Sequence, residues 1–312
     1  MKILVTGGAG FIGSNVVDAY IDLGHDVIVV DNLSTGFKRN LNPKAKFHEL
    51  SIRGKDLSTV FQNERPDVVN HHAAQIDVSK SGDDPIADAE DNILGSLNLI
   101  TNCVQSGVKR IIYASTGGAI YGEAEYLPAD ENHPINPVAQ YGVSKHTVEH
   151  YLYLYHTLHG IDHVILRYAN VYGPRQNPYG EAGVVAIFAT QMLTGQQPTI
   201  FGSGDKTRDY VHVSDATEAN ILALERGTNT ILNIGTGVET SDQRIFDTLA
   251  EVLGYNGSPN YAPVRKGEVY RIALECSKAR QELGWSPRLS LKEGIAQTAE
   301  YYRDLARRSK DD

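Results

Sequence analysis

Short apolar runs alternate with amphipathic stretches along the first half of the chain. The runs predict strands at positions 2–5, 26–30, 45–50, 67–72 and 110–115. Between them, apolar residues recur at helical spacing, most clearly over 55–64 and 84–106. This alternation predicts an α/β fold on a doubly wound parallel sheet. The second half adds a predicted smaller C-terminal α/β lobe, with helices near 186–194 and 291–306 and an edge strand at 198–202.

The predicted helix at 84–106 carries an apolar stripe at alternating steps of four and three. Its members are Ile93, Leu97, Ile100 and Val104. One face of a helix repeats in this way, so the simplest prediction places the stripe in the core.

A glycine-rich turn joins the first predicted strand to the first helix. It contains Gly7, Gly10 and Gly13, and the next strand ends at Asp31. Glycine lets backbone N–H groups approach a ligand, and a helix N-terminus favours a pyrophosphate. Asp31 follows Gly13 at close to the ~20 residues expected for a carboxylate that binds an adenosine ribose. We therefore predict a dinucleotide site that prefers NAD to NADP, since Asp31 would repel a 2′-phosphate.

Composition narrows the classes of partner. The chain has 312 residues and a net charge of −9, which argues against nucleic-acid and membrane-surface partners. Its two cysteines, Cys103 and Cys276, lack metal-ligand spacing, so we expect free thiols and no metal site. With neither a signal-peptide pattern nor an apolar run of ~18 residues, the expected location is the cytoplasm.

Candidate catalytic residues lie in two segments. Ser115 and Thr116 close a predicted strand, and Tyr141 and Lys145 share one face of the helix that follows. A phenol is a poor base at neutral pH because its pKa is ~10, but a neighbouring ammonium favours the phenolate. Tyr141 could then take a proton from a substrate hydroxyl. Thr116 is the preferred hydroxyl donor, with Ser115 as the second candidate.

The GxxGxxG turn, Asp31 and the Ser/Thr–Tyr–Lys set together resemble the extended short-chain dehydrogenase/reductase family. The segments LRYANVYGPR (166–175), TRDYVHV (207–213) and RKGE (265–268) are similar to its UDP-glucose 4-epimerase-like branch. This resemblance implies a Rossmann-type fold with an NAD-binding domain at 1–172, on which 205–238 packs, and a substrate-binding lobe at 173–312. It also implies a homodimer through a four-helix seam, built by the helix at 84–106 and the helix after Ala139.

The resemblance also implies site residues. Besides the catalytic Ser115, Tyr141 and Lys145, the expected NAD contacts are Gly7, Gly10, Phe11, Ile12, Gly13, Asp31, Asn32, Ser34, Thr35, Gly36, Ser51, Ile52, Ala73, Ala74, Gln75, Asn92 and Tyr168. The expected contacts to a UDP-sugar are Thr116, Gly117, Tyr141, Asn170, Val184, Val185, Phe201, Arg208, Arg265 and Glu268. Arg167 and His212 are expected to be structural, and the glycine-rich 233–237 segment to be a turn rather than a phosphate loop.

The implied reaction is NAD-dependent 4-epimerisation of a UDP-hexose through a transient 4-keto sugar. Ile272, smaller than the Tyr of strict hexose epimerases, suggests that N-acetylhexosamines also fit. Sugar-nucleotide dehydratases carry Asp-Glu after the catalytic Thr, where this chain has Gly117 and Gly118. UDP-glucuronate 4-epimerase or decarboxylase activity remains an alternative. A non-catalytic NAD-binding regulator is disfavoured, because Tyr141 and Lys145 are both present.

Overall fold

The computed structural model describes residues 1–179, 183–264 and 269–311. Its strands are β1 (Lys2–Thr6), β2 (Asp26–Asp31), β3 (Lys46–Glu49), β4 (Val68–His71), β5 (Arg110–Thr116), β6 (Asp162–Tyr168), β7 (Asn170–Tyr172), β8 (Thr199–Phe201), β9 (Thr207–His212), β10 (Thr230–Ile234), β11 (Glu239–Ser241) and β12 (Asn260–Ala262). Its helices are α1 (Phe11–Asp22), α2 (Leu57–Glu64), α3 (Val78–Asp83), α4 (Pro85–Ala89), α5 (Gly95–Gln105), α6 (Gly117–Ile120), α7 (Gln140–His159), α8 (Val184–Leu193), α9 (Val213–Ala223), α10 (Asp242–Leu253), α11 (Ser277–Leu283) and α12 (Leu291–Asp311).

A seven-stranded parallel sheet organises the first lobe, in the order β10-β6-β5-β4-β1-β2-β3. From β1 the chain builds outward to β3, then returns to β4 on the other side of β1 and continues outward. The strand order therefore reverses between β1 and β4. Ligands of such sheets bind outside the carboxyl ends of the strands at this switch point. The predicted doubly wound fold is confirmed.

Helices cover both faces of this sheet. Ile3 and Val5 on β1 join one buried cluster, whereas Leu4 joins the cluster on the opposite face. Alternate side chains of a strand point to opposite faces, so a strand covered on both sides is apolar throughout. This is why β1 and β2 were recognisable in the sequence as continuous apolar runs.

The helical region at 84–106 is broken by a π-helical turn at Glu90–Leu94, between α4 and α5. The buried apolar side chains of α5 are Leu99, Ile100 and Cys103. Of the predicted stripe only Ile100 is fully buried, and Ile93, Leu97 and Val104 are half-buried. The stripe prediction was therefore wrong in part, because the wider π turn changes which residues face the sheet.

The second lobe has its own core. Side chains from α8, α10 and α12 form it, with Phe188 and Phe246 meeting edge to face at 6.2 Å between ring centroids. Two small sheets, β11-β9-β7 and β12-β8, lie in this half of the chain. Helix α9 returns to the first lobe, where the Tyr20 hydroxyl of α1 donates to the Asn220 carbonyl at 3.1 Å. No helix in the described part of the chain is long and apolar enough to cross a bilayer.

Candidate active site

The turn between β1 and α1 requires glycine. Gly7 has a φ of +69°, and a Cβ on it would lie 2.7 Å from the Ala73 nitrogen. A Cβ on Gly13 would lie 2.2 Å from the Gly7 carbonyl oxygen. The 12-residue helix α1 begins at Phe11, and its N-cap residue, Gly10, provides no side-chain cap for the first turn, which contains Phe11 and Ile12. Its first N–H groups are thus available for an anion, and this cradle fits the diphosphate of a dinucleotide.

Asp31 lies at the end of β2, beside this turn. Its carboxylate accepts hydrogen bonds from the backbone N–H groups of Ala9, at 3.0 Å, and Leu33, at 2.8 Å. Asn32 caps the next turn through the Ser34 N–H, and a Cβ on Gly36 would meet Ala9 at 3.0 Å. The predicted Asp31–Gly36 segment, including the exposed Thr35, therefore lies against the glycine turn.

The segment after β4 is held to the π turn. The Asn92 side chain accepts from the Gln75 N–H at 2.8 Å and donates to the Gln75 carbonyl at 2.9 Å. The Ala73 N–H donates to the Thr6 hydroxyl at 3.1 Å. This places the predicted cofactor contacts Ala73, Ala74, Gln75 and Asn92 at the carboxyl edge of the sheet, next to Gly7.

Two predicted cofactor contacts turn their side chains to the interior. Ile52 is buried, and a Cβ on Gly95 would lie 2.9 Å from it. The Tyr168 hydroxyl accepts from Asn220 at 2.7 Å in the buried interior. Both side chains therefore pack beneath the sheet edge, and the cofactor contacts expected at these two positions stay a prediction. Ser51 accepts a hydrogen bond from the Arg53 N–H and stays half-exposed.

Tyr141 and Lys145 lie one turn apart on α7, as predicted. Lys145 is 3% exposed, and its Nζ lies 4.3 Å from the centroid of the Tyr113 ring. Burial, and after it the charge of Asp88, raises the pKa of Tyr141. Burial lowers the pKa of Lys145 to about 7, against the charges of Glu149 and Asp88. In the protein without cofactor, burial thus raises the pKa of Tyr141 even with Lys145 one turn away.

The two hydroxyl candidates differ in their surroundings. Ser115 is buried and donates to Glu149 Oε1 at 2.5 Å. Thr116 is half-exposed where β5 meets α6, and a Cβ on Gly118 would lie 3.9 Å from its Oγ1 and 3.3 Å from Asn170 Oδ1. Thr116 and Asn170 thus flank Gly118 at the sheet edge. The geometry favours Thr116 as the hydroxyl that faces a substrate and assigns Ser115 to the interior.

Gly117 is a glycine for a packing reason. A Cβ there would lie 2.5 Å from Leu274 Cδ1, in the buried cluster. The space beside Gly117 is therefore filled by Leu274. Ile272 is likewise 1% exposed within that cluster, so it does not line the crevice as a gate for the sugar.

A buried ion pair lies beneath the catalytic helix. Arg167 donates from Nη2 to Glu149 Oε2 at 2.6 Å and from Nε to Oε1 at 3.1 Å, and from Nη1 to the Tyr121 hydroxyl. Burial acts to raise the pKa of Glu149, but hydrogen bonds from His146 and Arg167 lower it to about 2. Arg167 is structural, as predicted. Glu149 was not predicted from the sequence, although residues 141, 145 and 149 lie at positions i, i+4 and i+8 on one helix face.

Several of the predicted substrate contacts lie on elements of the second lobe. Val184 begins α8 half-buried, whereas Val185 is fully buried in the lobe core. Phe201 ends β8 and Arg208 lies half-buried on β9, where its guanidinium donates to the Thr207 carbonyl at 2.8 Å. The predicted residues Arg265 and Glu268 lie outside the described residues.

Two further motifs are structural, as predicted. The Asp209 carboxylate accepts hydrogen bonds from the backbone N–H groups of Thr236 and Gly237 in the glycine-rich 233–237 turn. Because these donors are already bonded, the turn does not serve as a phosphate loop. His212 caps α9 by accepting from the Ser214 N–H at 3.3 Å. Both cysteines are free thiols, and no cluster of three or more metal-ligating side chains occurs in the described ranges.

Comparison with known proteins gives a consistent result. A sequence profile described as the NAD dependent epimerase/dehydratase family matches residues 3–235. A UDP-glucose 4-epimerase of Mycolicibacterium smegmatis is 41% identical, covering 97% of this chain and 99% of that protein. The crystal structure of a Thermotoga maritima UDP-glucose 4-epimerase with UDP-glucose is 49% identical, with a TM-score of 0.97 over 98% of this chain and 100% of that chain.

A second solved structure, a Thermus thermophilus UDP-glucose 4-epimerase complexed with NAD, is 43% identical, with a TM-score of 0.93 over 97% of this chain and 99% of that chain. The profile covers more than half of this chain, and the relatives named above match nearly its full length. The chain therefore belongs to the NAD dependent epimerase/dehydratase family.

Proposed function

We propose that this protein is an NAD-dependent UDP-glucose 4-epimerase, which interconverts UDP-glucose and UDP-galactose through a 4-keto sugar. The observation that carries the proposal is the position of Tyr141 and Lys145 on α7, with Thr116 at the adjoining carboxyl end of β5. The similarity to UDP-glucose 4-epimerases over nearly the whole chain supports the substrate.

Different residues of the chain bind the cofactor and transfer the substrate proton. Gly7, Gly10 and Gly13 expose backbone donors for the cofactor diphosphate, and Asp31 accepts from the adenosine ribose. When bound, oxidised NAD supplies the hydride acceptor and a positive charge. Tyr141 removes the proton of the sugar 4-hydroxyl during oxidation and returns it when the opposite face is reduced. Thr116 holds the same hydroxyl by a hydrogen bond.

The UDP moiety is assigned to the crevice edge and the second lobe. Asn170 and Arg208 bind the diphosphate, where a guanidinium can contact two oxygens at once. Val184 and Phe201 contact the nucleoside, and the predicted roles of Arg265 and Glu268 remain part of this proposal. Tight diphosphate binding would retain the keto intermediate while the sugar reorients.

Dehydration is disfavoured by the packing at Gly117. Dehydratases of this scaffold carry a carboxylate directly after the catalytic Thr, and here that side chain would have to displace Leu274. Positions 117 and 118, both glycine, therefore do not supply the acid that elimination requires. This supports epimerisation over loss of water.

We also infer a homodimer that uses α5 and α7. Large apolar side chains of α7 and of the π turn that precedes α5 are exposed, namely Leu94, Val143, Leu154 and Leu158. Two such helices from each of two subunits would form a four-helix seam that buries them. The two free thiols fit the reducing cytoplasm, where galactose metabolism would use this activity.

The test is to incubate purified protein with UDP-glucose, UDP-galactose, and their N-acetyl and uronic acid analogues, without added reductant. Chromatography should show UDP-glucose and UDP-galactose converging on one equilibrium mixture from both sides. A 4-keto-6-deoxy product, loss of carbon dioxide, or no turnover of either hexose would contradict the proposal. Interconversion of the uronic acids alone would transfer the assignment to a uronate epimerase.

Asp31→Asn is expected to improve binding of NADP relative to NAD by about tenfold or more, because it removes the charge that repels a 2′-phosphate. Asparagine keeps an oxygen for the Ala9 N–H. Fluorescence titration with both cofactors measures the ratio, and Asp26→Asn, at the exposed opposite end of β2, is the control. An unchanged ratio would show that other residues set the choice.

A further inference from the structure

A buried carboxylate outside the predicted site lies next to the catalytic helix. Asp88 on α4 is 2% exposed. Its Oδ2 accepts from Ser144, the residue that precedes Lys145 on α7, at 2.6 Å. Its Oδ1 accepts from Asn92 at 3.0 Å and from Gln75 at 3.2 Å. One side chain thus joins α7, the π turn and the segment after β4.

All three of these donors are neutral side chains. None of them carries a positive charge that would balance the carboxylate. Several other ionisable groups face Lys145. They are Tyr141 and Glu149 on α7, Tyr113 on β5, and His71 and His72 at the end of β4.

The other groups carry little net charge near pH 7. Burial raises the pKa of Tyr113 and lowers the pKa values of His71 and His72, so these side chains are neutral. The charge of Glu149 is balanced by its two hydrogen bonds to Arg167. Of the two carboxylates that raise the pKa of Lys145, Glu149 first and then Asp88, Glu149 is paired with a cation, whereas the side chains that donate to Asp88 are neutral.

We propose that Asp88 is a positioning residue of the active site, whose buried charge keeps Lys145 protonated while its hydrogen bonds fix α7 against the Gln75 segment. Burial acts strongly against a charged lysine, so an ammonium at this position needs a nearby negative charge. The same charge opposes ionisation of Tyr141, which makes the protonation of the pair depend on Asp88. The catalytic role in this inference rests on the proposed function. Its direct test, a titration of Lys145, does not require turnover.

The direct test measures the Lys145 pKa in the cofactor-free protein. Lysine labelled with ¹³C at Cε is followed by NMR as pH is varied, and the Lys145 signal is identified by its loss in Lys145→Arg. In Asp88→Asn the pKa of Lys145 should fall by about one pH unit. Asp91→Asn, an exposed carboxylate three residues along, is the matched control and should leave it unchanged.

Asp88→Ser removes the same charge with a smaller side chain and replaces the asparagine variant if that one does not fold, as judged by circular dichroism. A Lys145 pKa that stays at the wild-type value in a folded Asp88 variant would overturn the proposal. A second readout is the pH profile of epimerisation. Both the acidic and the basic limb of this profile should shift to lower pH in Asp88→Asn, because loss of a negative charge lowers the pKa values of Tyr141 and Lys145 alike.

The two readouts separate the two claims. If wild-type protein turned over no UDP-hexose, the proposed function would fail, and the NMR titration would still test Asp88. If turnover were normal and neither the Lys145 signal nor the pH profile moved, the role of Asp88 would fail alone.

Discussion

Replacing Tyr141 by phenylalanine is expected to lower kcat for UDP-glucose by about 10²–10⁴-fold, because the variant keeps the ring but lacks the group that takes the substrate proton. Binding of NAD should be nearly unchanged, since the glycine cradle and Asp31 lie on other elements. Turnover is measured by chromatography, and NAD affinity by fluorescence titration.

Tyr153→Phe is the matched control for this variant. Tyr153 lies on the same helix and is 66% exposed, so loss of its hydroxyl should leave kcat at the wild-type value. If Tyr141→Phe epimerised UDP-glucose at a near-normal rate, the assignment of the base would have to move to another residue.

Arg167→Met should lower the free energy of unfolding by about 3–5 kcal/mol, because it leaves the buried Glu149 carboxylate without its cation. The deficit should shrink as pH falls. Folded Glu149 has its pKa lowered to about 2, so the pair stabilises the protein above the unfolded value of 4.5 and stops doing so as pH falls towards 2. Urea unfolding at pH 7 and at lower pH measures this dependence.

Arg288→Met is the control for the buried pair. Arg288 contacts Glu218 at 3.0 Å on the surface, so its loss should cost at most about 1 kcal/mol. A double variant, Arg167→Met with Glu149→Leu, should recover part of the lost stability, since it removes the stranded charge. Equal effects of Arg167→Met and Arg288→Met would contradict the account of the buried pair.

The sheet was predictable because its strands are buried on both faces. Strands β1, β2 and β5 coincide with apolar runs to within about one residue at either end. The helical region at 84–106 was also recognised, but its orientation was not. An i→i+5 turn leaves no distinct mark in the sequence, and apolar periodicity does not distinguish a core face from a face that another subunit could cover.

The site was predictable where chemistry depends on a motif. The glycine turn, Asp31 and the Tyr141–Lys145 pair were identified from their spacing. The choice between Ser115 and Thr116 was harder, because adjacent strand residues point to opposite faces and the sequence does not say which face is open.

Asp88 and Glu149 were missed for a related reason. Most carboxylates lie at the surface, and only the folded chain reveals which are buried with hydrogen-bond donors. Tertiary contacts likewise decide which side chains of the predicted ligand-binding segments are buried, as they are at Ile52, Tyr168 and Val185.

The most direct measurement of the central claim uses UDP-glucose that carries deuterium at sugar C4. If one carbon is oxidised and reduced again within a single catalytic cycle, the UDP-galactose formed must retain the label at C4. Mass spectrometry and NMR of the product in ordinary water should therefore find the deuterium in place. Replacement of the label by solvent hydrogen, or its transfer to another carbon of the sugar, would contradict the account.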